Sequence, residues 1–275
     1  MAMAAETRST DEEAFPQKFV VLRRSPAPAL QSVVTDICGY RETAGGHYRQ
    51  VEYAPLAVPL VINFEAPFAI ALGRTPDEHD RYDSFAAGLY AGPVLIDSFG
   101  HCCCLQVNFT LAGARSFFRM PLSELTDRMV PLDDVLGPDG HALREMLGNE
   151  PDWGRRFDLI EAFIIRRLAA APRQGPQVAW AVEQVLESGG QARIGAIASE
   201  LDWSRKHLAD RFRDATGMAP KTLARMVRFN RALELSRRGD DNWAGIAADC
   251  GYADQAHLAR EFRDFAGTTP STLSA

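Results

Sequence analysis

The sequence predicts an α+β protein of two parts: a β-rich N-terminal domain with trailing helices, then an all-α domain of two helix-turn-helix units joined by a linker helix. Three observations carry this. The C-terminal third contains a near-repeat; the residues before it are short apolar segments punctuated by turn signals and then by helical patterns; and charge is divided unequally between the two parts. A length of 275 residues suits two domains, each large enough for its own core.

Residues 1–17 are polar and acidic, without the basic start and apolar run of a signal peptide, and are expected to be disordered. In 18–170, apolar runs bounded by turn residues predict strands at Val33–Cys38, Leu60–Phe64, Phe68–Leu72, Phe85–Tyr90, Val94–Ser98 and Cys102–Phe109. Helical patterns follow: "LAGARSFFR" from Leu111, and an amphipathic run from Asp152 to Ala170 carrying Phe157, Ile160, Phe163, Ile164 and Leu168. Strands first and helices after suggest a small sandwich or half-barrel. In the Asp152 to Ala170 run, Phe163 and Ile165 fall outside the main stripe, which predicts a dimer contact through this helix.

The cysteines and histidines of this part point to no catalytic centre. Five cysteines, three of them adjacent, do not form a disulfide framework. In a strand, Cys102, Cys104, Gln106 and Asn108 share one face and Cys103, Leu105, Val107 and Phe109 the other. The cluster at His101–Cys104 could hold a soft metal or act as a redox or alkyl-accepting thiol. Against that, cysteines on alternate faces cannot share one ion, and free cysteine is commonly a small buried hydrophobe. The face of Gln106 and Asn108 is open to two readings, a pocket lining or solvent. His47 and His79 lie in polar loops; no phosphate-binding glycine loop and no Ser, His, Asp constellation is present. The expectation is a non-enzyme with no metal and no cofactor. Pro59, Glu65 and Pro67 interrupt the most apolar stretch, so no membrane span is expected and the reading is cytoplasmic.

"AAAPRQGPQ", running from Ala169 to Gln177, is the natural linker, placed at 171–176, and the second domain runs from 177 to 275. Within it Ile197 and Ala198 recur as Ile246 and Ala247 at a shift of 49, and from His207 the shift is 50. "HLADRFRDATGMAPKTL" from His207 lies over "HLAREFRDFAGTTPSTL" from His257 with ten of seventeen positions identical. A period that occurs twice is a duplicated supersecondary unit, since a solenoid needs at least three stacked copies. Each copy reads as two short helices and a tight turn, over about 194–217 and about 244–267. In the first, Asp202 and Trp203 make the turn, Ser204 caps the next helix, and Leu208, Phe212 and Ala215 line its buried stripe until Gly217. In the second, Gly251 and Tyr252 make the turn, Asp254 caps, and Leu258, Phe262 and Phe265 precede Gly267. A helix over about 221–238 joins them.

This geometry lays a second helix in the DNA major groove. Opposite the buried stripes lie Arg205, Lys206, Ala209, Asp210 and Arg213 in the first unit, and Gln255, Ala256, Ala259, Arg260 and Arg263 in the second. Arg reads guanine, Gln reads adenine, and Ala lets a helix approach closely. A single such face would be read as solvated surface; two copies favour DNA. The segment from Gly175 to Ala275 has thirteen Lys and Arg against thirteen Asp and Glu, so the whole net charge of −6 belongs to the first part. Within Ser204 to Arg238, ten basic residues face only Asp210, Asp214 and Glu234, a local surplus suited to phosphate.

The stretch "IAADCGYADQAHLAREFRDFAGTTPSTL", with the rest of 177–273, resembles the DNA-binding domain of the AraC/XylS family of bacterial transcription regulators. The resemblance implies seven helices, a linker helix at Lys221 to Arg238, and DNA contacts at Lys206, Ala209, Asp210, Gln255, Ala256 and Arg260. It implies promoter DNA as partner, a small-molecule effector, a homodimer, and RNA polymerase if the protein activates. The N-terminal part resembles the corresponding halves of many members, where a cupin-like barrel senses a ligand and helices pair subunits. "GPVLIDSFGHCCCLQVNF" also resembles an uncharacterised domain found before this module, which names no ligand. A DNA-binding protein with a reactive-cysteine domain is the alternative.

Overall fold

A computed structural model describes residues 11–14, 19–171, 175–238 and 242–273. Ten strands come first: β1 (Asp11–Ala14), β2 (Phe19–Arg24), β3 (Val34–Glu42), β4 (Tyr48–Tyr53), β5 (Val58–Asn63), β6 (Phe68–Leu72), β7 (Arg81–Tyr82), β8 (Phe85–Ala87), β9 (Pro93–Ser98) and β10 (Cys103–Phe109). Then follow α1 (Leu111–Phe118), β11 (Met129–Pro131), α2 (Leu132–Leu136), α3 (Pro138–Gly148) and α4 (Trp153–Ala169). A seven-stranded sheet in the order β1-β2-β3-β10-β5-β8-β11 faces a four-stranded sheet in the order β4-β9-β6-β7, and the pairings are antiparallel.

The alternation of β10 divides the N-terminal part into two layers. Leu105, Val107 and Phe109 point to the helices, where Phe109 stacks on Phe117 of α1 at 4.6 Å and Phe117 meets Phe163 of α4 edge-on at 6.1 Å. Cys104, Gln106 and Asn108 point to the other sheet. Gly39 of β3 lets α4 lie close, since a Cβ there would stand 2.5 Å from the Trp153 ring.

The structure differs from the sequence expectations in several places. Asp11–Ala14, placed in a disordered leader, forms strand β1 against β2; the rest of that expectation lies outside the described residues. In α4, Phe157, Ile160, Phe163 and Ile164 are buried within the chain and Leu168 is half-buried, so of the two residues off the main stripe only Ile165 is exposed. β8 stops at Ala87 instead of Tyr90 because the chain turns into another loop there. Gly88 donates its N–H to the Leu125 carbonyl at 3.0 Å, and a Cβ on Gly88 would lie 2.4 Å from that backbone.

The C-terminal part contains α5 (Pro176–Glu187), α6 (Ile194–Glu200), α7 (Arg205–Thr216), α8 (Pro220–Arg237), α9 (Trp243–Asp249), α10 (Gln255–Ala266) and α11 (Pro270–Leu273), seven helices among the described residues. Leu208, Phe212, Leu223, Phe229, Ile246, Leu258, Phe262 and Phe265 form its buried centre. Polar contacts among the described residues join it to the N-terminal part: Thr126 Oγ1 donates to the Gly217 carbonyl at 3.1 Å, and Asn230 Nδ2 of α8 donates to the Ala54 carbonyl at 2.9 Å. Among the described residues no helix is long and apolar enough to cross a membrane.

Candidate nucleic-acid interface

The two helix-turn-helix units are built alike, down to the backbone of their turns. The turn between α6 and α7 needs a left-handed residue, supplied by Asp202 at φ 53°; between α9 and α10 it is Gly251 at φ 73°. The next residue closes each turn, Trp203 N–H bonding the Ala198 carbonyl at 2.9 Å and Tyr252 N–H the Ala247 carbonyl at 2.8 Å. The extra residue in the second copy is Ala253, between the closing Tyr252 and the cap. Ser204 and Asp254 then cap their helices by accepting the N–H groups of His207 and His257 at 3.1 and 2.6 Å. Both helices end on a left-handed glycine, Gly217 and Gly267. A pairing that the repeat held but sequence reading passed over is Trp203 edge-on to His207 and Tyr252 edge-on to His257, at 4.6 and 5.2 Å. It braces each turn against its second helix.

The residues singled out for DNA lie where the stripes put them. Arg205, Lys206, Asp210 and Arg213 of α7 are exposed and Ala209 is half-buried; Gln255, Ala256, Arg260 and Arg263 of α10 are exposed and Ala259 is half-buried. Ala256, Arg260 and Arg263 recur at helical spacing on one side of α10. Asp210 lies 3.8 Å from Arg213, both open to solvent, so part of the cationic face of α7 is internally balanced.

The basic surplus around α8 is smaller than the sequence count suggests. Arg225 is spent inside the domain, its guanidinium bonding Glu261 at 2.8 Å and Asp264 at 2.6 Å and lying 5.0 Å over Phe265. Arg228 is half-buried over the Tyr252 ring at 5.4 Å, with its Nε enclosed, so it is not an open phosphate contact. Arg238 pairs with Glu234 on α8 itself. The cations left outward on this stretch are Arg205, Lys206, Arg211, Arg213, Lys221, Arg231 and Arg237.

A second feature lies in the N-terminal part. The inner faces of the two sheets enclose a cavity of about 500 Å³, open on one side. Phe19, Tyr40, Tyr48 and Phe68 form an aromatic end, with ring centroids 5.5 to 6.4 Å apart. Gln50, Glu52, Gln106 and Asn108 form a polar end, and these four also line a cleft closed from the other side by Asn230, Leu233 and Arg237 of α8. Gln106 and Asn108 therefore face a pocket and not solvent. Burial, with Asp36 adding repulsion, raises the pKa of Glu52. Nothing in the strand pattern distinguished Glu52: "YRQVEY" reads as a polar edge because its inward residues are themselves polar.

The cysteines are protected. Cys102, Cys103, Cys104 and Cys250 are buried and Cys38 is half-buried. Burial, with Asp36 adding to it, pushes the Cys38 thiol up to about 11; burial, with Glu42 adding to it, pushes Cys102 up to about 12; burial raises Cys104 well above the free-thiol value. Thiolate, the nucleophilic form, is thereby disfavoured at these three positions.

Residues 197–275 match the family described as a helix-turn-helix domain. No curated protein matches the chain. Among solved structures it is similar to the C-terminal domain of AraT, a response regulator from Geobacillus stearothermophilus, at 22% identity over 38% of this chain and 87% of that one, with a TM-score of 0.35. It is also similar to unsaturated fatty acid bound ToxT from Vibrio cholerae, at 12% identity over 98% and 97% of the two chains, TM-score 0.43. The AraC-like transcriptional activator CuxR aligns at 13% identity over 80% and 82%, TM-score 0.34.

Proposed function

We infer from its C-terminal domain, which is an AraC-type helix-turn-helix domain, that this chain is a transcription regulator that reads promoter DNA through α7 and α10 and answers to a small molecule held between its N-terminal sheets. The observation that carries the DNA reading is the two-sidedness of both helices. Leu208 and Phe212, and Leu258 and Phe262, are fully buried, while the opposite faces are open. Base contacts are assigned to Arg205, Lys206, Ala209 and Asp210 on α7 and to Gln255, Ala256 and Arg260 on α10; Arg213 and Arg263, a turn further along, are assigned to phosphate. The eighteen residues of α8 set the spacing. At about 1.5 Å per residue they span roughly 27 Å, close to the roughly 34 Å between successive major grooves on one face of the duplex.

The effector reading is supported by the cavity, whose polar end reaches α8, the helix that spaces the two units. The homodimer of this reading would use Ile165, the exposed apolar residue of α4, since Phe157, Ile160 and Ile164 are buried within the chain. Selection of binding sites from random duplexes with the intact protein tests the DNA reading. The expected site has two short elements centred roughly one helical turn apart, with affinity falling along a log-log line in salt. Recovery of a single element, or of no preferred sequence, overturns the two-groove reading.

A further inference from the structure

Among the described residues, ion pairs hold most charges of the inter-sheet cavity but not Glu52; Arg128, which lines an adjoining pocket with Glu52, donates its Nε to the Glu124 carbonyl and forms no ion pair with it. Arg49 forms a two-bond pair with Asp97, both contacts 2.7 Å, and His47 adds a third at 3.2 Å. Asp36 has Arg23 at 3.8 Å and takes both its amide contacts, at 3.2 and 3.1 Å, from Asn108. Glu52 has only the Gln50 amide, at 3.5 Å, the limit of a hydrogen bond. Among the described residues no cation lies within 4 Å of it; Arg237, which lines the cleft from the α8 side, is exposed and makes no ion pair with it. Gln106 donates its amide to Asn108 at 2.9 Å, which leaves its side-chain carbonyl oxygen as an acceptor beside Glu52.

We propose that the cavity binds a small organic cation, a protonated amine on an apolar body of aromatic size, with Glu52 as its counter-charge and Gln106 as a second acceptor. The proposal rests on the effector-responsive reading above and names the chemical class of the effector. A half-buried carboxylate without a cation beside it is partly desolvated at a cost, and an ammonium group that arrives with the ligand offsets that cost. The volume lies within the usual range for small-molecule sites. The far end suits the rest of such a molecule: Phe19, Tyr40 and Phe68 offer ring faces and edges, and Ile70, Phe85 and Ile96 close the walls with apolar surface. An anionic ligand of the same shape would meet Glu52 in the field of Asp36. Burial and the field of Asp36 already work against a second negative charge, as the raised pKa of Glu52 records. Glu52 and Gln106 stand where cavity and cleft join, so the charged head of the ligand sits next to α8.

The test uses three probes of one shape and different charge, tryptamine, tryptophol and indole-3-acetate, titrated calorimetrically into the intact protein at neutral pH, with dye-reported melting in parallel. Tryptamine is expected to bind at least about tenfold more tightly than either companion and to be the one that raises the melting temperature. Glu52→Gln should abolish that preference while leaving the circular dichroism of the apo protein unchanged. If Glu52→Gln does not fold, the wild-type ranking alone decides. Equal or tighter binding of the alcohol or the carboxylate, or no binding of any probe at millimolar concentration, overturns the cation. The effector reading fails separately, if compounds that raise the melting temperature leave operator affinity unchanged.

Discussion

Replacing Gly251 should loosen the second DNA-reading unit in an order set by one backbone angle. Gly251 holds φ 73°, where an L side chain crowds the following carbonyl at a cost of roughly 1–2 kcal/mol, more for a β-branched residue. A Cβ there would also stand 3.0 Å from the Gln191 side chain, which can swing aside because its amide bond to the Asp249 carbonyl, at 3.3 Å, is exposed. The first unit provides the internal control, since Asp202 occupies the same turn position at φ 53°. Asp tolerates this region better than Ala does. The expected order of destabilisation is therefore Gly251→Asp, then Gly251→Ala, then Gly251→Val. By contrast Asp202→Gly should change little, because relief of the left-handed angle is offset by roughly 0.5–1 kcal/mol of unfolded-chain entropy. Hydrogen exchange of the intact protein, followed by mass spectrometry over 243–266, reads the effect locally. Gly251→Ala should speed exchange there by roughly 5- to 30-fold, the equivalent of 1–2 kcal/mol, with 194–216 unchanged. If Gly251→Val leaves the protection of α9 and α10 intact, the turn does not depend on its glycine and the reasoning fails.

Other perturbations follow from the same contacts. Arg260→Ala should cost about 1–3 kcal/mol in operator affinity and relax preference at one base position; an equal loss for every single-base variant would make the side chain a phosphate clamp. Arg225→Ala leaves the buried Glu261 with only His257, at 3.8 Å, beside it and should destabilise the C-terminal part by about 2 kcal/mol, between the values for surface and buried pairs because Arg225 is partly exposed. Adding Glu261→Gln should recover much of that loss, and a double-mutant cycle in urea with no coupling would refute the clamp. Glu52 carries a pKa raised above its ordinary 4.5, so in the native state it costs stability as pH rises through and above that value, and the cost is absent below it. Glu52→Gln should accordingly raise the melting temperature at pH 7 and lose that advantage below about pH 4.5; an advantage that persists in acid would assign the effect to packing.

The DNA-binding half was legible in the sequence because its signals are local and doubled. Each cap, each stop and each buried stripe lies within one short unit, and the second copy checks the first. What the sequence did not reveal there was partner choice among the arginines. Arg225 and Arg228 have the same composition and spacing as surface cations, and only the packing of α10 and Tyr252 against α8 engages them within the domain and half-buries them. In the N-terminal part, the strands read most easily carry apolar residues toward the helices, as Leu105, Val107 and Phe109 do in β10. β4 was passed over because the cavity face is lined with Tyr48, Gln50 and Glu52, and a polar inward face looks like an exposed edge. The same property that hid the strand marks the site.

One helix bears on both proposed functions, and that constrains how they can be linked. Arg225 near the start of α8 grips α10, while Asn230 at its middle bonds Ala54, and Leu233 and Arg237 toward its end close the cleft beside Glu52 and Gln106. A ligand changes a conformational equilibrium only by as much as its affinity differs between the two states. A molecule enclosed wholly by the sheets would contact the same atoms wherever the helical domain sat, and would stabilise the protein without altering DNA binding. A molecule whose head lies at Glu52 touches the place where the sheets meet α8, so its contacts do depend on where α8 sits. The reciprocal effect must then hold: operator DNA, by fixing α7 and α10 in two grooves, must change the affinity for the ligand by the same factor that the ligand changes the affinity for DNA. Ligand titrations in the presence and absence of operator duplex measure that factor. A factor of one in both directions would mean that the cleft between Glu52 and Arg237 transmits nothing, and that the 2.9 Å bond from Asn230 to Ala54 only holds the two parts together.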